Sequence, residues 1–315
     1  MTYSKFKTEI QAIATIIQKM PDSAAEKAFN YLMLAMLKGE ITIDDFNLHH
    51  FATDHLDDDD FFDDDDDFFD DDDDDDDKLF DKNWFKREIF MATIKYLSHS
   101  AFLLDDGLHR ILIDPFISGN PNAPVKVKDI SVDYIVLTHA HGDHLGDAIE
   151  IAKKCKAMII AVNELAKYIA SFSVKSHNMH IGGSYEFPFG RLKFTIAHHG
   201  SSSPDGKYMG EPAGVIITLT GKNIYHAGDT GLFYDMKLIG EMDEIDVFLC
   251  PIGDNYTMGI DDAVKAVEFV NPKLAIPMHY NTFPIIQCDP QEFVDKVIAT
   301  GRNAKVMEFG EALEI

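Results

Sequence analysis

Cysteine is scarce and scattered: Cys155, Cys250 and Cys288 are the only three in the chain. They are far apart, odd in number and form no CxxC pair, which excludes a disulfide framework or a cysteine zinc finger and fits a reducing compartment. Long apolar runs are also missing. Stretches such as Ala157 to Val162 fall far short of the roughly 20 residues that span a bilayer. Ile10 to Ile17 is broken by Gln11 and Thr15 and is followed by no small-residue cleavage site, so no secretory signal is expected. Basic residues are few, 28 Lys and Arg against 54 Asp and Glu. No basic, aromatic-interleaved patch offers itself to phosphates. These absences predict a soluble, cytoplasmic protein with no nucleic-acid partner and no membrane insertion.

What is present begins with an acidic tract. Seventeen aspartates lie between Asp57 and Asp77, interrupted only by Phe61, Phe62, Phe68 and Phe69. They account for most of the net charge: a chain of −26 would carry −9 without them. Adjacent carboxylates repel and little apolar surface compensates, so residues 57–77 are expected to be a disordered linker. Before the tract, Phe6, Ile10, Ile13 and Ile17 recur at helical spacing, and Ala24 to Lys38 predicts a second helix stopped by Gly39. Thr42 and Asp45 open a third segment in the manner of a capping box. Residues 1–56 therefore read as a small helical region. Its His49, His50 and His55 are assigned no chemistry, and residues 78–90 are a connecting segment.

From Ala92 the character changes. Short β-rich runs alternate with turns: Thr93 to Leu97, Ala101 to Leu104, Arg110 to Ile113, Tyr134 to Thr138, Met158 to Val162, Leu192 to Ala197, Gly214 to Thr220, Asn223 to Ala227, Val247 to Ile252 and Leu274 to Met278. Helical stretches at Asp147 to Cys155, Asn163 to Ser171 and Asp261 to Phe269 lie between some of them. At 46% hydrophobic the chain can build a sizeable core. Many strands with helices between them predict two sheets packed face to face under helical layers.

The chemistry is concentrated just after the strand Tyr134-Ile135-Val136-Leu137. There Thr138-His139-Ala140-His141-Gly142-Asp143-His144 places four metal-ligand side chains within six residues. Imidazole and carboxylate donors in such density point to a borderline divalent metal. Gly142 and Gly146 are expected to let the loop bend. Four ligands so close in sequence do not easily share one ion, so others must arrive from elsewhere. His198-His199, Asp229 and His279 each follow an apolar strand, as required for a site assembled along one sheet edge.

The run His139-Ala140-His141-Gly142-Asp143-His144 resembles the HxHxDH signature of the metallo-β-lactamase superfamily. Gly210-Glu211-Pro212-Ala213-Gly214, Tyr225-His226-Ala227-Gly228-Asp229-Thr230-Gly231 and Pro277-Met278-His279-Tyr280-Asn281-Thr282-Phe283-Pro284 resemble its UPF0173 group of metal-dependent hydrolases. The likeness runs from about residue 91 to 315, and Met91-Ala92-Thr93-Ile94 is similar to that group's usual start. It implies an αββα sandwich holding two divalent metal ions, zinc or alternatively manganese or iron. His139, His141 and His199 would bind the first, Asp143, His144 and His279 the second, with Asp229 bridging. His198 competes for the place of His199, which is preferred because it directly precedes the small-residue run. Asp229 stands where zinc β-lactamases carry cysteine, which argues against antibiotic hydrolysis. His141 stands where flavodiiron relatives carry Glu, which argues against redox iron chemistry. Ser98-His99-Ser100 resembles the group's Gly-His-Ser, with Ser98 replacing glycine.

The implied mechanism is attack by a metal-held hydroxide on an ester, phosphodiester, lactone or amide of a small-molecule substrate. Asp143 would orient the hydroxide. His226 or His99 would supply the leaving-group proton; the other reading of His226 is a strand-end residue that supports a metal-holding side chain by a hydrogen bond. Asp114 is expected to orient a ligand histidine. Tyr280, Asn281, Thr282 and Phe283 either line the pocket mouth or shape the turn that presents His279. A second reading makes the chain a metal-binding sensor or scaffold, whose helical head and acidic tract recruit a partner of unspecified kind. Assembly into a homo-oligomer is left open.

Overall fold

The computed structural model describes residues 92–315. The helical region, the aspartate tract, the connecting segment and His49, His50 and His55 lie outside those residues. The first strands are a meander: β1 (Thr93–Tyr96), β2 (Phe102–Asp105) and β3 (Arg110–Ile113), each antiparallel to the last. Next come β4 (Tyr134–Val136), α1 (Gly142–Leu145), α2 (Ala148–Cys155), β5 (Met158–Val162), α3 (Asn163–Ala170) and β6 (Ser176–Met179). A hairpin of β7 (Ser184–Phe187) and β8 (Gly190–Ile196) follows, then β9 (Ala213–Leu219) and β10 (Lys222–His226). The chain ends with α4 (Met236–Met242), β11 (Val247–Pro251), α5 (Ile260–Val270), β12 (Leu274–Met278), α6 (Pro290–Ala299) and β13 (Ala312–Glu314).

Among the described residues these strands form two sheets, ordered β13-β1-β2-β3-β4-β5-β6 and β12-β11-β10-β9-β8-β7. Their apolar faces merge in one core that includes Ile111, Leu112 and Ile135 from the first sheet with Phe194, Val215 and Phe248 from the second. Parallel pairs need crossovers, and helices supply them: α2 links β4 to β5, α3 links β5 to β6, α4 links β10 to β11, and α5 links β11 to β12. β9 and β11 are almost wholly buried, as central strands covered on both faces must be. This is the expected sandwich.

The strands expected from the apolar runs are all present. Three were not read: β6, β7 and β13. Each is an edge strand, with one backbone side unpaired and little side-chain burial, so polar sequences such as Ser176-His177-Asn178-Met179 suffice. Helices α4 and α6 also went unread, although Asp289 caps α6 by accepting from the Gln291 N–H and Pro290 opens its first turn.

Strand direction determines where the chemistry gathers. β1, β3 and β4 run the same way in the first sheet, and β8, β10, β11 and β12 share a direction in the second. His99, Asp114, His139, His199, Asp229 and His279 follow the ends of β1, β3, β4, β8, β10 and β12 respectively. The intervening antiparallel strands β2 and β9 contribute none of them.

Candidate metal centre

The HxHxDH run divides into two conformations. His141 is extended (φ −60°, ψ 151°) and caps α1, its carbonyl accepting from the His144 and Leu145 N–H groups. Asp143 and His144 therefore sit on a helical turn rather than on the open loop expected from the sequence. Of the two glycines, Gly146 is the one the turn requires: its φ is +40°, and a Cβ there would lie 2.3 Å from the Pro115 carbonyl oxygen. Gly142 opens the helical turn with no such constraint.

Two groups of donor atoms result. His139 Nε2 lies 3.0 Å from His141 Nδ1, which lies 3.2 Å from His199 Nε2. His144 Nε2 and His279 Nε2 approach opposite oxygens of Asp229, at 3.2 Å from Oδ1 and 3.1 Å from Oδ2. Asp143 Oδ2 is 3.8 Å from His279 Nε2. Asp229 Oδ2 also reaches to 3.5 Å from His199 Nε2, so Asp229 stands between the groups. Gly228 makes that position reachable, with φ +64° and a Cβ position only 2.6 Å from the Ala213 carbonyl oxygen.

Supporting bonds set the tautomers. Thr138 donates its hydroxyl hydrogen to Asp114 Oδ2 at 2.6 Å, so it accepts from Nδ1–H of His139 at 3.0 Å. His144 Nδ1 donates to the same carboxylate at 2.7 Å. Both rings thus turn an Nε2 lone pair inward. His144 Nε2, Asp229 Oδ1 and His279 Nε2 are buried yet hydrogen-bond to nothing. A bare imidazole nitrogen facing a carboxylate oxygen at 3.2 Å is repulsive without a cation between them, so the donor set fits a divalent metal ion.

Burial is the largest influence on the His139 ring and pulls its pKa well down, leaving a neutral imidazole. The backbone is strained at the same places: His99 (φ 57°), Asp114 (φ 43°) and His279 (φ 56°) all adopt left-handed conformations at strand ends. Ser98 does too, at φ 78°. That is the backbone region that favours glycine, the residue that the resemblance to Gly-His-Ser implies there.

Of the remaining expected residues, Asp114 orients His144 as anticipated. His199 joins the donor group, whereas His198 is exposed and packs on Phe233. His226 corrects the proton-donor expectation: it is fully buried, its Nε2 pairs with the Ser100 carbonyl at 3.0 Å, and its Nδ1 accepts from the Gly228 N–H at 3.1 Å. No nitrogen remains for a leaving group. His99 lies inside the centre, with Nε2 3.1 Å from Asp143 Oδ2 and Nδ1 2.6 Å from Thr282 Oγ1. Burial draws its ring down to about 4, against the upward pull of Asp143. Tyr280 is buried and Asn281 bonds Cys288 and Ile286 within the turn, so both shape the turn. Phe283 packs edge-on against His99. The sequence reading missed the roles of Thr138 and Thr282, because a hydroxyl that touches a histidine ring leaves no mark in the sequence beyond lying near it.

A family model described as the beta-lactamase superfamily domain matches residues 109–280. A UPF0173 metal-dependent hydrolase of Bacillus cereus is 50% identical over 227 residues, covering 70% of this chain and 99% of that protein. A similar protein of Bacillus thuringiensis subsp. konkukian is likewise 50% identical over 227 residues, with the same coverage. Among solved structures, a metallo hydrolase from the hyperthermophilic archaeon Ignicoccus hospitalis is 38% identical with a TM-score of 0.67, over 71% of this chain and 98% of its own. With these relatives and this fold, the chain belongs to the metallo-β-lactamase superfamily, in its UPF0173 group of metal-dependent hydrolases.

Proposed function

We propose that the enzyme is a binuclear hydrolase. His139, His141 and His199 would hold one divalent cation, Asp143, His144 and His279 a second, and Asp229 would join them. The observation that carries this reading is two clusters of donor atoms meeting at Asp229: His139, His141 and His199 on one side, and on the other His144 and His279, whose buried Nε2 atoms have no hydrogen-bond partner. Zinc suits these imidazole and carboxylate donors, and manganese or iron is accepted by the same set. Cations held there supply Lewis acidity and lower the pKa of water to near neutrality. No serine or cysteine nucleophile is then needed to open an ester, phosphodiester or lactone.

The chain's own residues have distinct tasks. Asp114 holds two ligand rings in the tautomer that presents Nε2. Asp143 is the more exposed carboxylate, with 24% of its side chain accessible against 3% for Asp229, so it is the one placed to orient an incoming water. We place the hydrolase domain from Met91 onward, with residues 1–90 an addition. In support, the relatives align over nearly their full length while using only 70% of this chain. The substrate is proposed to be a small molecule in the cytoplasm; no described helix is long and apolar enough to cross a membrane.

Metal analysis of the full chain and of Asp229→Ala, with a panel of chromogenic phosphodiesters, lactones and cephalosporins assayed with added zinc or manganese, tests the reading. About two ions per chain, reduced in the variant, with turnover of an ester, phosphodiester or lactone supports it. One ion or fewer in the parent chain, or no turnover of any substrate, overturns it.

A further inference from the structure

His99 was expected to be a proton donor, but its surroundings match those of the ligand histidines. His139 ties Nδ1 to the Thr138 hydroxyl, His144 ties Nδ1 to Asp114, and both turn Nε2 inward. His99 repeats this arrangement from the end of β1. The Thr282 hydroxyl gives its hydrogen to the Tyr280 carbonyl at 3.2 Å, so at 2.6 Å it accepts from His99 Nδ1–H. That leaves the His99 Nε2 lone pair facing Asp143 Oδ2 at 3.1 Å, two acceptors in the same opposition seen between His144 and Asp229. His99, Asp143, His144 and His279 each bring a ligand atom within 4.8 Å of the others. The His99 carbonyl also accepts from the His279 N–H at 2.8 Å and from the Tyr96 hydroxyl at 3.0 Å. The left-handed backbone at Ser98 and His99 is thereby fastened directly to a ligand residue.

We propose that His99 is itself a ligand of the second cation, through Nε2, with Thr282 fixing its tautomer. This rests on the binuclear reading above. It makes the centre unequal: the second position has one more protein donor than the first. A fuller coordination shell favours ions that accept six ligands, such as manganese or iron, over four-coordinate zinc.

The test uses full-length protein loaded with cobalt(II), a paramagnetic stand-in. Each bound imidazole keeps one N–H, whose proton resonance is strongly shifted. Ligation predicts shifted N–H resonances from His99 as well as from His139, His141, His144, His199 and His279. Signals from the latter five alone overturn the proposal, and no shifted signal at all overturns the binuclear reading with it. In a parallel arm, chelator competition measures cobalt affinity in His99→Gln, whose amide still donates to Asp143 but is a poor ligand. Weakening of the second ion by about 100-fold or more, with the first unaffected, is expected. Parent-like affinity would show that His99 only positions Asp143 by a hydrogen bond. The resonance count on the parent chain decides the question even if the variant does not fold.

Discussion

Asp114 Oδ2 accepts a hydrogen bond from His144 Nδ1 at 2.7 Å, and both side chains are wholly buried. The same oxygen takes the Thr138 hydroxyl, and Oδ1 takes the Thr138 N–H. One wholly buried carboxylate therefore orients His144 directly and His139 through Thr138. Replacement Asp114→Asn puts an amide donor where two hydrogens already point in. Metal affinity is expected to fall by about 10- to 100-fold, measured by chelator competition, with unchanged affinity counting against this role.

Removing metal should destabilise the fold, because Asp229 and three buried histidines are left with acceptor atoms facing one another. A ligand at a thousandfold excess over Kd stabilises by about 4 kcal/mol, equivalent to a melting shift on the order of 10 °C for a domain of this size. Calorimetry before and after chelation, then after zinc or manganese is restored, measures it. Identical melting curves would contradict a metal centre.

Ser98→Gly should stabilise, reversing the usual sign of a glycine substitution. Ser98 has φ 78° and a buried hydroxyl with no partner. Relief of left-handed strain, offset by the larger unfolded-state entropy of glycine, leaves a gain of about 1 kcal/mol. A melting temperature higher by about 2–4 °C is expected.

His226→Gln should act on stability and leave the pH–rate profile in place. Its ring bridges Ser100 and Gly228 from a fully buried position, and breaking such a pair costs about 1–3 kcal/mol. Loss of the alkaline limb of the profile, with an unchanged melting temperature, would restore it as a general acid.

His109 predicts a modest pH dependence of stability. Its hydrogen bond to Asp106 raises the ring's pKa, with burial opposing. The folded value lies above the unfolded one, so the stabilisation is complete below about pH 6.5 and is lost as pH rises through the folded pKa. The pair is partly exposed, so the effect should stay below about 1 kcal/mol. Urea titrations at pH 5.5 and 9 on the parent and Asp106→Asn should differ by that amount only in the parent.

The candidate ligand residues could be read from the chain because chemistry confines them. His139 to His144 lie together, and His199, Asp229 and His279 each follow an apolar strand, so position and residue type agreed. The central strands were legible because burial on both faces demands continuous apolar runs. The edge strands β6, β7 and β13 were not, since an edge imposes so weak a requirement on sequence.

Residue order alone marked the candidate ligands His139 to His144, His199, Asp229 and His279 and the alternation of strands that carries them. Tertiary structure decided how each side chain is used. His226 and His99 look alike in sequence, each beside a motif at a strand's end. Yet one points into backbone and the other at Asp143, because strand pairing and left-handed turns, not local composition, direct a side chain. Thr138, Thr282 and Asp114 acquire their roles only when distant segments meet: a hydroxyl or carboxylate chooses a histidine's tautomer by contact across 2.6 to 3.0 Å, and no one-dimensional pattern records that distance.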